Sequence, residues 1–453
     1  MSTVIIGSGL SGILTAINIK NTSLEEDVLI LDPNMNLSNT LIAGQRIRAG
    51  IAGQRTAPSD EIIELLTSRN DGIVTESMKI FTNVLLEEIE KWQKLGVPFV
   101  DDKLWFGPQW GNTELKGIAK SKSVLDYFKN KAESSHVKFT KLKITQLEIK
   151  NEKITSIIAT DNKCEYEIFA DNFVLAGGSS TGLLFDSTNR EFELPPQLLA
   201  SDAGLKLYDG TLTMIHPFGK CGNNNKPVAG CYETDLLTDI KLLNSSKDLQ
   251  WIEDLLKDHK AHYQFPKICK ELWRIGGILE FEKSNGERFK SCVSIHYNQL
   301  GIQTNDGVSV MGVENVFAVG DAAGVGYFTN HKVRFPGFAL GNCLVTSNLA
   351  AKLISNRKNK GGINIRDIGS AKIRKKSDVI KKLKEINTKH VCAINLEDKT
   401  EIDICNKWIK ELEMLSELKD ATSVDKSTIL LSIKMALAHR EMIINKIVEP
   451  INI

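Results

Sequence analysis

An α/β fold with a Rossmann-like first unit is predicted by three observations on this 453-residue sequence. A glycine-rich turn joins a short apolar strand to a helix at the very N-terminus. An acid closes the strand that follows. A further apolar strand, late in the chain, ends in Gly-Asp. Length adds a prior of about three units, at roughly 150 residues each.

The N-terminal block carries most of this. Val4-Ile5-Ile6 runs directly into Gly7-Ser8-Gly9-Leu10-Ser11-Gly12. Ile13 to Ile19 then reads as a helix, and Val28 to Leu31 as a strand ending in Asp32. Strand, GxGxxG, helix, strand and acid, in that order, form the context in which the glycines point to a dinucleotide. Gly7 permits the tight turn, Gly9 lets the backbone approach a pyrophosphate, and Gly12 lets the helix sit close to the strand. The helix N-terminus offers N–H groups and a positive dipole to the phosphates. Asp32, twenty residues beyond Gly12, can accept hydrogen bonds from an adenosine ribose. The plain alternative, a glycine turn in an unrelated α/β fold, does not require these flanks.

The remaining elements follow in order. Residues 33–60 are polar, hold Arg46, Arg48 and Arg55, and are too long for a plain connector. Ile62 to Leu95 has helical periodicity through Ile80, Val84, Leu85 and Ile89, and Lys122 to Ala132 reads as a helix too. Val137 to Ile168 alternates apolar and polar residues, with a hairpin turn at Lys150-Asn151-Glu152-Lys153. Asn172 to Ala176 is a buried strand entering Gly177-Gly178. Leu205 to Arg288 mixes short helical and extended signals. Val316 to Val319 is an apolar strand entering Gly320-Asp321, and Gly337 to Ile354 is helical. From Ser370 the pattern is helical and lysine-rich, with no Gly or Pro before Pro450.

The middle of the chain carries no second GxGxxG, so a separate NAD domain is not expected. An aspartate at the end of a strand, as at Asp321, can instead hold the ribityl hydroxyls of FAD. The expected architecture is a Rossmann-like FAD-binding domain of the glutathione-reductase type, discontinuous over residues 1–205 and 290–356. An α+β domain (206–289) is inserted in it, and a helical C-terminal domain (365–453) follows.

Composition narrows the function classes. The chain is 42% hydrophobic and 25% charged, as expected of a globular protein. Its 57 basic and 56 acidic side chains nearly cancel, so no whole-chain footprint for nucleic acid exists. No 18-residue apolar run and no basic region before the first strand occur, so neither a membrane span nor a signal peptide is expected. The eight cysteines form no CxxC pair. They read as reduced, mostly buried thiols in a cytoplasmic protein, and no metal site is expected.

Several blocks, in shared order over most of residues 1–350, resemble the succinate dehydrogenase/fumarate reductase flavoprotein family, which includes L-aspartate oxidase. Ser38-Asn39-Thr40 through Gly53 resembles its flavin loop, and Val174 to Gly178 its strand entering the flavin site. His216-Pro217 and Ser294-Ile295-His296-Tyr297 resemble its two substrate-site histidine blocks. Gly276 to Leu279 and Gly286 to Phe289 resemble a capping-domain hairpin, which implies that the inserted segment 206–289 is an α+β capping domain, and Arg334 through Leu344 resemble the last flavin and substrate block. The resemblance implies FAD contacts at Gly7, Gly9, Gly12, Asp32, Asn39, Thr40, Gly44, Gly177, Gly178, Gly320, Asp321, Ala339 and Leu340. It implies catalytic roles for His216, His296 and Arg334; Arg46 is a candidate proton-transfer group of this chain's own. Arg334 would clamp a carboxylate through its planar fork. The two histidines would donate to the other end of an anionic small molecule.

The sequence also departs from that family. Asn39 stands where some members attach FAD through a histidine, so the FAD should be non-covalent. Gly44-Gln45-Arg46 replaces a glutamine-glycine-glycine run, and Phe218 replaces a substrate-binding threonine. The helical stretch with a proton-donating arginine after Gly-Glu-Arg-Phe is missing, and the segment from Pro217 to Arg274 is longer. Arg46, Arg48, Tyr297, His331 and Lys332 remain candidates for the proton. The leading expectation is an oxidoreductase moving a hydride between a small carboxylate-bearing substrate and flavin N5. A flavoprotein subunit relaying electrons to a partner protein is the alternative, with a flavin monooxygenase behind it. A partner protein or a second copy of the chain could complete the assembly.

Overall fold

The computed structural model describes residues 1–34, 38–39, 74–94, 99–101, 106–108, 121–190, 192, 195–208, 213–232, 237, 239–243, 249–257, 265–274, 276–298, 300–324, 326–329, 338–357, 361–371, 378–393, 401–418 and 421–448. The chain divides into two compact units. The first comprises residues 1–179, 194–212 and 299–374, and the second residues 180–193, 213–298 and 375–453.

A five-stranded parallel sheet organises the first unit. Its strands run in the order Val316–Ala318, Asn172–Leu175, Ser2–Ile6, Asp27–Leu31, Lys138–Thr140. Both faces are covered, so the central strands are buried and mostly apolar, as in other parallel sheets. Ile5, Ile30, Val174 and Phe317 face one core with Ile13, Ile17 and Leu344, and Val4, Leu29, Leu175 and Val316 face another with Ile144 and Ile157. Each such side chain contributes about 1.5–3 kcal/mol when fully buried. The helix Leu10–Thr22 is buried over most of its length because it packs between the sheet and the helix Phe338–Ser355. Ile80, read from sequence as part of an apolar stripe, is exposed on the helix Glu76–Lys94, whose Phe81, Leu85 and Ile89 are buried.

A four-stranded antiparallel sheet completes this unit, in the order Asn364–Ser370, Cys164–Phe169, Lys153–Thr160, Lys143–Lys150. Its hairpin turns at Asn151 and Glu152 with φ of 51° and 58°, the left-handed pair of a type I′ turn. Asn315 fixes this hairpin to the main sheet by exchanging hydrogen bonds of 2.9 Å with the backbone of Ile154.

The second unit holds a five-stranded antiparallel sheet, ordered Pro227–Cys231, Thr213–Cys221, Arg288–Asn298, Ile278–Lys283, Ile240–Leu242. Phe218, Leu279, Phe281 and Val293 pack with the helices Gln250–Lys257 and Phe265–Arg274. Three helices, Asp378–Ala393, Glu401–Ser416 and Ser423–Val448, belong to the same unit. Buried Asn387 links them, donating to Leu184 O and Ser432 Oγ and accepting from Trp408 Nε1, each at 2.9 Å.

These units differ from the boundaries drawn on sequence. A division at 289/290 cuts the strand Arg288–Asn298, which is paired along its length with Thr213–Cys221 and Ile278–Lys283. Residues 365–370, placed on sequence at the start of the helical C-terminal domain, belong to the strand Asn364–Ser370, because Cys164–Phe169 offers them an open edge. The tail helices do not stand as a third unit. All eight cysteines are free thiols, and only Cys269, Cys292 and Cys405 are buried, fewer than expected. Among the described residues no helix is long and apolar enough to cross a membrane, and no cluster could hold a metal ion.

Candidate functional site

In the first unit the glycine turn closes against its neighbours at backbone distance. Gly7 has φ +113°, and a Cβ there would lie 2.5 Å from Ala176 O. A Cβ at Gly12 would lie 2.1 Å from Gly7 O. Gly9 caps the helix Leu10–Thr22 in extended conformation, with no side-chain cap and no acid in the first turn. That leaves the positive end of the helix dipole beside the turn, as a phosphate requires. Asp32 is tied to the same turn. Its Oδ2 accepts from the Ser8 N–H and hydroxyl at 2.8 Å each, and its Oδ1 accepts from the Asn34 N–H at 2.7 Å. The carboxylate therefore stiffens the glycine loop, and of about four acceptor positions it keeps about one for a ribose.

The two later glycine loops meet beside this turn. Gly178 has φ +81°, with nothing within 4 Å of the position a Cβ would take. Gly320, with φ +61°, is packed so closely that a Cβ would lie 2.7 Å from Ser11 Oγ. Its N–H donates to Thr346 Oγ1 at 2.8 Å. Asn342 Nδ2 donates to Gly320 O at 2.9 Å and to Gly324 O at 3.0 Å. Gln197 Nε2 donates to Gly178 O at 3.0 Å and to Asp321 O at 3.2 Å. Burial, and after it the Asp321 charge, push the Cys343 thiol up, which keeps it protonated. Ala339 and Leu340 open the helix that carries Asn342 and Thr346. The glycine cradle, the uncapped helix start and the acid at each strand end fit a dinucleotide such as FAD.

In the second unit two histidines share one sheet face. His216 lies opposite Ser294 on the neighbouring strand, and His296 is two residues beyond, so both project to the same side. Their ring centroids are 5.4 Å apart. His216 is buried, and its Nδ1 accepts the Phe218 N–H at 3.1 Å. Burial, and after it the charge of His296, hold His216 well below the usual histidine range. It is therefore neutral at physiological pH, with its proton on Nε2. His296 Nδ1 shares a hydrogen bond of 2.9 Å with Thr188 Oγ1. Thr188 is fixed because its segment runs beside the strand. Thr188 N–H donates to Ile295 O at 3.0 Å, Ser187 Oγ donates to the same oxygen at 2.6 Å, and Asn189 Nδ2 donates to His296 O at 2.9 Å.

The structure thus brings Gly7, Gly9, Gly12, Asp32, Gly177, Gly178, Gly320 and Asp321 together in one unit and pairs His216 with His296 in the other. Asn39 is half-buried in a short helical turn. Thr40, Gly44, Arg46, Arg48, His331, Lys332 and Arg334 lie outside the described residues. Tyr297, a candidate proton group, is buried. Sequence reasoning missed Gln197, Asn342 and Thr188. The one available signal was Asn342, a poor helix former within an otherwise apolar helix.

Neither a protein-family model nor a curated protein matches the sequence. Solved structures do. E. coli quinol fumarate reductase FrdA aligns at TM-score 0.65 and 14% identity, covering 98% of this chain and 88% of that one. A quinol-fumarate reductase with menaquinol molecules aligns at 0.66 and 14%, covering 98% and 90%. Mycobacterium smegmatis Sdh1 in complex with UQ1 aligns at 0.61 and 16%, covering 98% and 86%. The chain has the fold of the fumarate reductase and succinate dehydrogenase flavoproteins.

Proposed function

We propose that this chain is an FAD-dependent oxidoreductase that moves a hydride between a small carboxylate-bearing substrate and flavin N5. Fumarate reductase, succinate dehydrogenase and L-aspartate oxidase chemistry all fall within this description. The observation that carries the reading is the pair His216 and His296, on one sheet face of a fold shared with fumarate reductases.

The first unit would hold the cofactor: the glycine turn and helix start at the pyrophosphate, Asp32 at the ribose, and the Gly178 and Asp321 loops nearer the ring. Bound FAD supplies the hydride acceptor or donor, which no side chain offers. In the second unit neutral His216 presents Nε2–H to a substrate oxygen. It does so across the physiological pH range, since its pKa lies well below that of free histidine. Two imidazoles this close resist double protonation, which adds to the burial that keeps His216 neutral. Thr188 fixes the His296 ring. Arg334 would clamp the far carboxylate. FAD would be non-covalent, since the Asn39 amide is not nucleophilic.

FAD-loaded protein, mixed anaerobically with succinate and with L-aspartate, should lose its oxidised-flavin absorbance with at least one of them. His296→Ala should slow that loss by about 10²–10³-fold. Denaturation should release all FAD into solution. Failure of every small carboxylate to reduce a fully loaded protein would sink the proposal.

A second reading, an electron-relaying subunit, is favoured by one feature. Arg288–Asn298 is a single unbroken strand, so no helical stretch with a proton-donating arginine interrupts it after Phe289. Co-purification of an iron–sulfur or quinone-linked partner with a chain inert to carboxylates would select this reading.

A further inference from the structure

We propose that Gln197 is a positioning residue for the cofactor: its amide N–H groups lock the Gly178 and Asp321 loops together, and its carbonyl oxygen accepts a hydrogen bond from bound FAD. This rests on the flavin reading above.

The geometry is specific. Gln197 lies in the first turn of the helix Pro196–Asp202 and is fully buried. The start of that helix is wedged against the glycine pair, because a Cβ at Gly177 would lie 2.8 Å from Pro196 Cγ. The Gln197 amide nitrogen reaches Gly178 O at 3.0 Å and Asp321 O at 3.2 Å, residues 19 and 124 positions away. A side chain with two N–H donors on one nitrogen is needed to hold both carbonyls. Glutamine provides them, and leucine, methionine or glutamate would not.

Asn342 does a similar task from the other side. It also donates to two carbonyls flanking Asp321, those of Gly320 and Gly324. The Asp321 turn is thus held by two buried amides. Gln197 connects it to Gly178, whose Cβ position faces open space.

The remaining polar atom of the side chain lacks a partner. Gln197 Oε1 is buried and has no hydrogen-bond partner among the described residues. A buried acceptor left unmade costs about 1–3 kcal/mol. A protein that keeps this atom beside two cofactor loops gains a partner when the cofactor binds. FAD carries suitable donors in its ribityl hydroxyls and its ring N–H.

The test compares wild type with Gln197→Met and Gln197→Glu. FAD affinity is read by flavin fluorescence, the oxidised-flavin spectrum by absorbance, and apo-protein stability by thermal unfolding. Gln197→Met, of similar length but without either function, should weaken FAD binding by about 10- to 100-fold and shift the flavin spectrum. Gln197→Glu, buried against two carbonyls, should take up a proton readily. As an acid it regains one donor and keeps an acceptor, so its FAD affinity should approach wild type as pH falls from 8 to about 6. Gln197→Met should show no such recovery. Both variants should lower apo stability, because two carbonyls lose partners. A Gln197→Met protein that is less stable as apo-protein but binds FAD within about twofold of wild type, with an unchanged spectrum, overturns the proposal. Should that variant fail to fold, a Gln197→Glu affinity that does not change with pH overturns it. A wild-type chain that takes up no FAD fails differently, and overturns the flavin reading itself.

Discussion

The glycine turn of the first unit keeps its shape through backbone contact, whereas the imidazoles of the second are placed by strand register. At Gly7 and Gly12 backbone atoms stand where a Cβ would be, so no side chain is tolerated. At His216 and His296 the controlling fact is that one strand lies opposite another about eighty positions away, with register shifts beside His216. A bulge re-aims side chains without leaving a sequence signature of its own. The first kind of site is intolerant of change at the backbone and pre-formed. The second is tolerant in its framework and sensitive in its polar atoms.

Breaking the backbone site should have the largest effect. Gly7→Ala combines a positive φ with a 2.5 Å approach to Ala176 O. The expected loss is on the order of 3–5 kcal/mol, a large share of the stability of a typical domain, together with FAD retention. Thermal unfolding and flavin content of the purified protein measure it. A Gly7→Ala protein that folds normally and holds FAD would show that the turn is not closed as described.

His216 sharpens the contrast through pH. Its folded pKa is depressed by burial and by His296, so the unfolded chain binds the proton more readily. Stability from this group is fully present above the unfolded value near 6.5 and is lost as pH falls through the window below it. The slope it adds is at most about 1.4 kcal/mol per pH unit. His390 is depressed as well, again by burial first, and contributes with the same sign. The His216 share is therefore the difference between wild type and His216→Gln, followed by denaturant unfolding from pH 7 to pH 5. Parallel curves for the two proteins would show that His216 is not held neutral.

Much of the first unit was legible because its rules are local. The glycine spacing, the acid after the second strand and the Asn151-Glu152 turn each follow from neighbours in sequence. Gln197 was not legible: its partners are Gly178 and Asp321, and nothing near it in sequence names them. The extent of the second unit was hidden for the same reason. Arg288–Asn298 belongs with Thr213–Cys221 by register, and the terminal helices share its unit through Asn387, whose contacts reach Leu184, Trp408 and Ser432. His216 and His296 were found by resemblance; periodicity alone gave no reason to prefer them over buried structural histidines.

The finest difference between the two regions is carried by Thr188. It is buried, and its hydroxyl meets His296 Nδ1 at 2.9 Å, so valine at this position keeps the shape and removes the hydrogen bond. The bond contributes about 1 kcal/mol, and its loss lets the ring turn and change tautomer. Thr188→Val should slow flavin reduction by about five- to tenfold and leave FAD affinity unchanged, since FAD retention is assigned to the other unit. Combining it with His296→Ala separates positioning from packing. If Thr188 acts through His296, the double variant is no slower than His296→Ala alone, and the coupling equals the whole effect of Thr188→Val. Independent, additive losses would mean that Thr188 serves the sheet and not the imidazole. The His296 ring would then owe its orientation to other contacts.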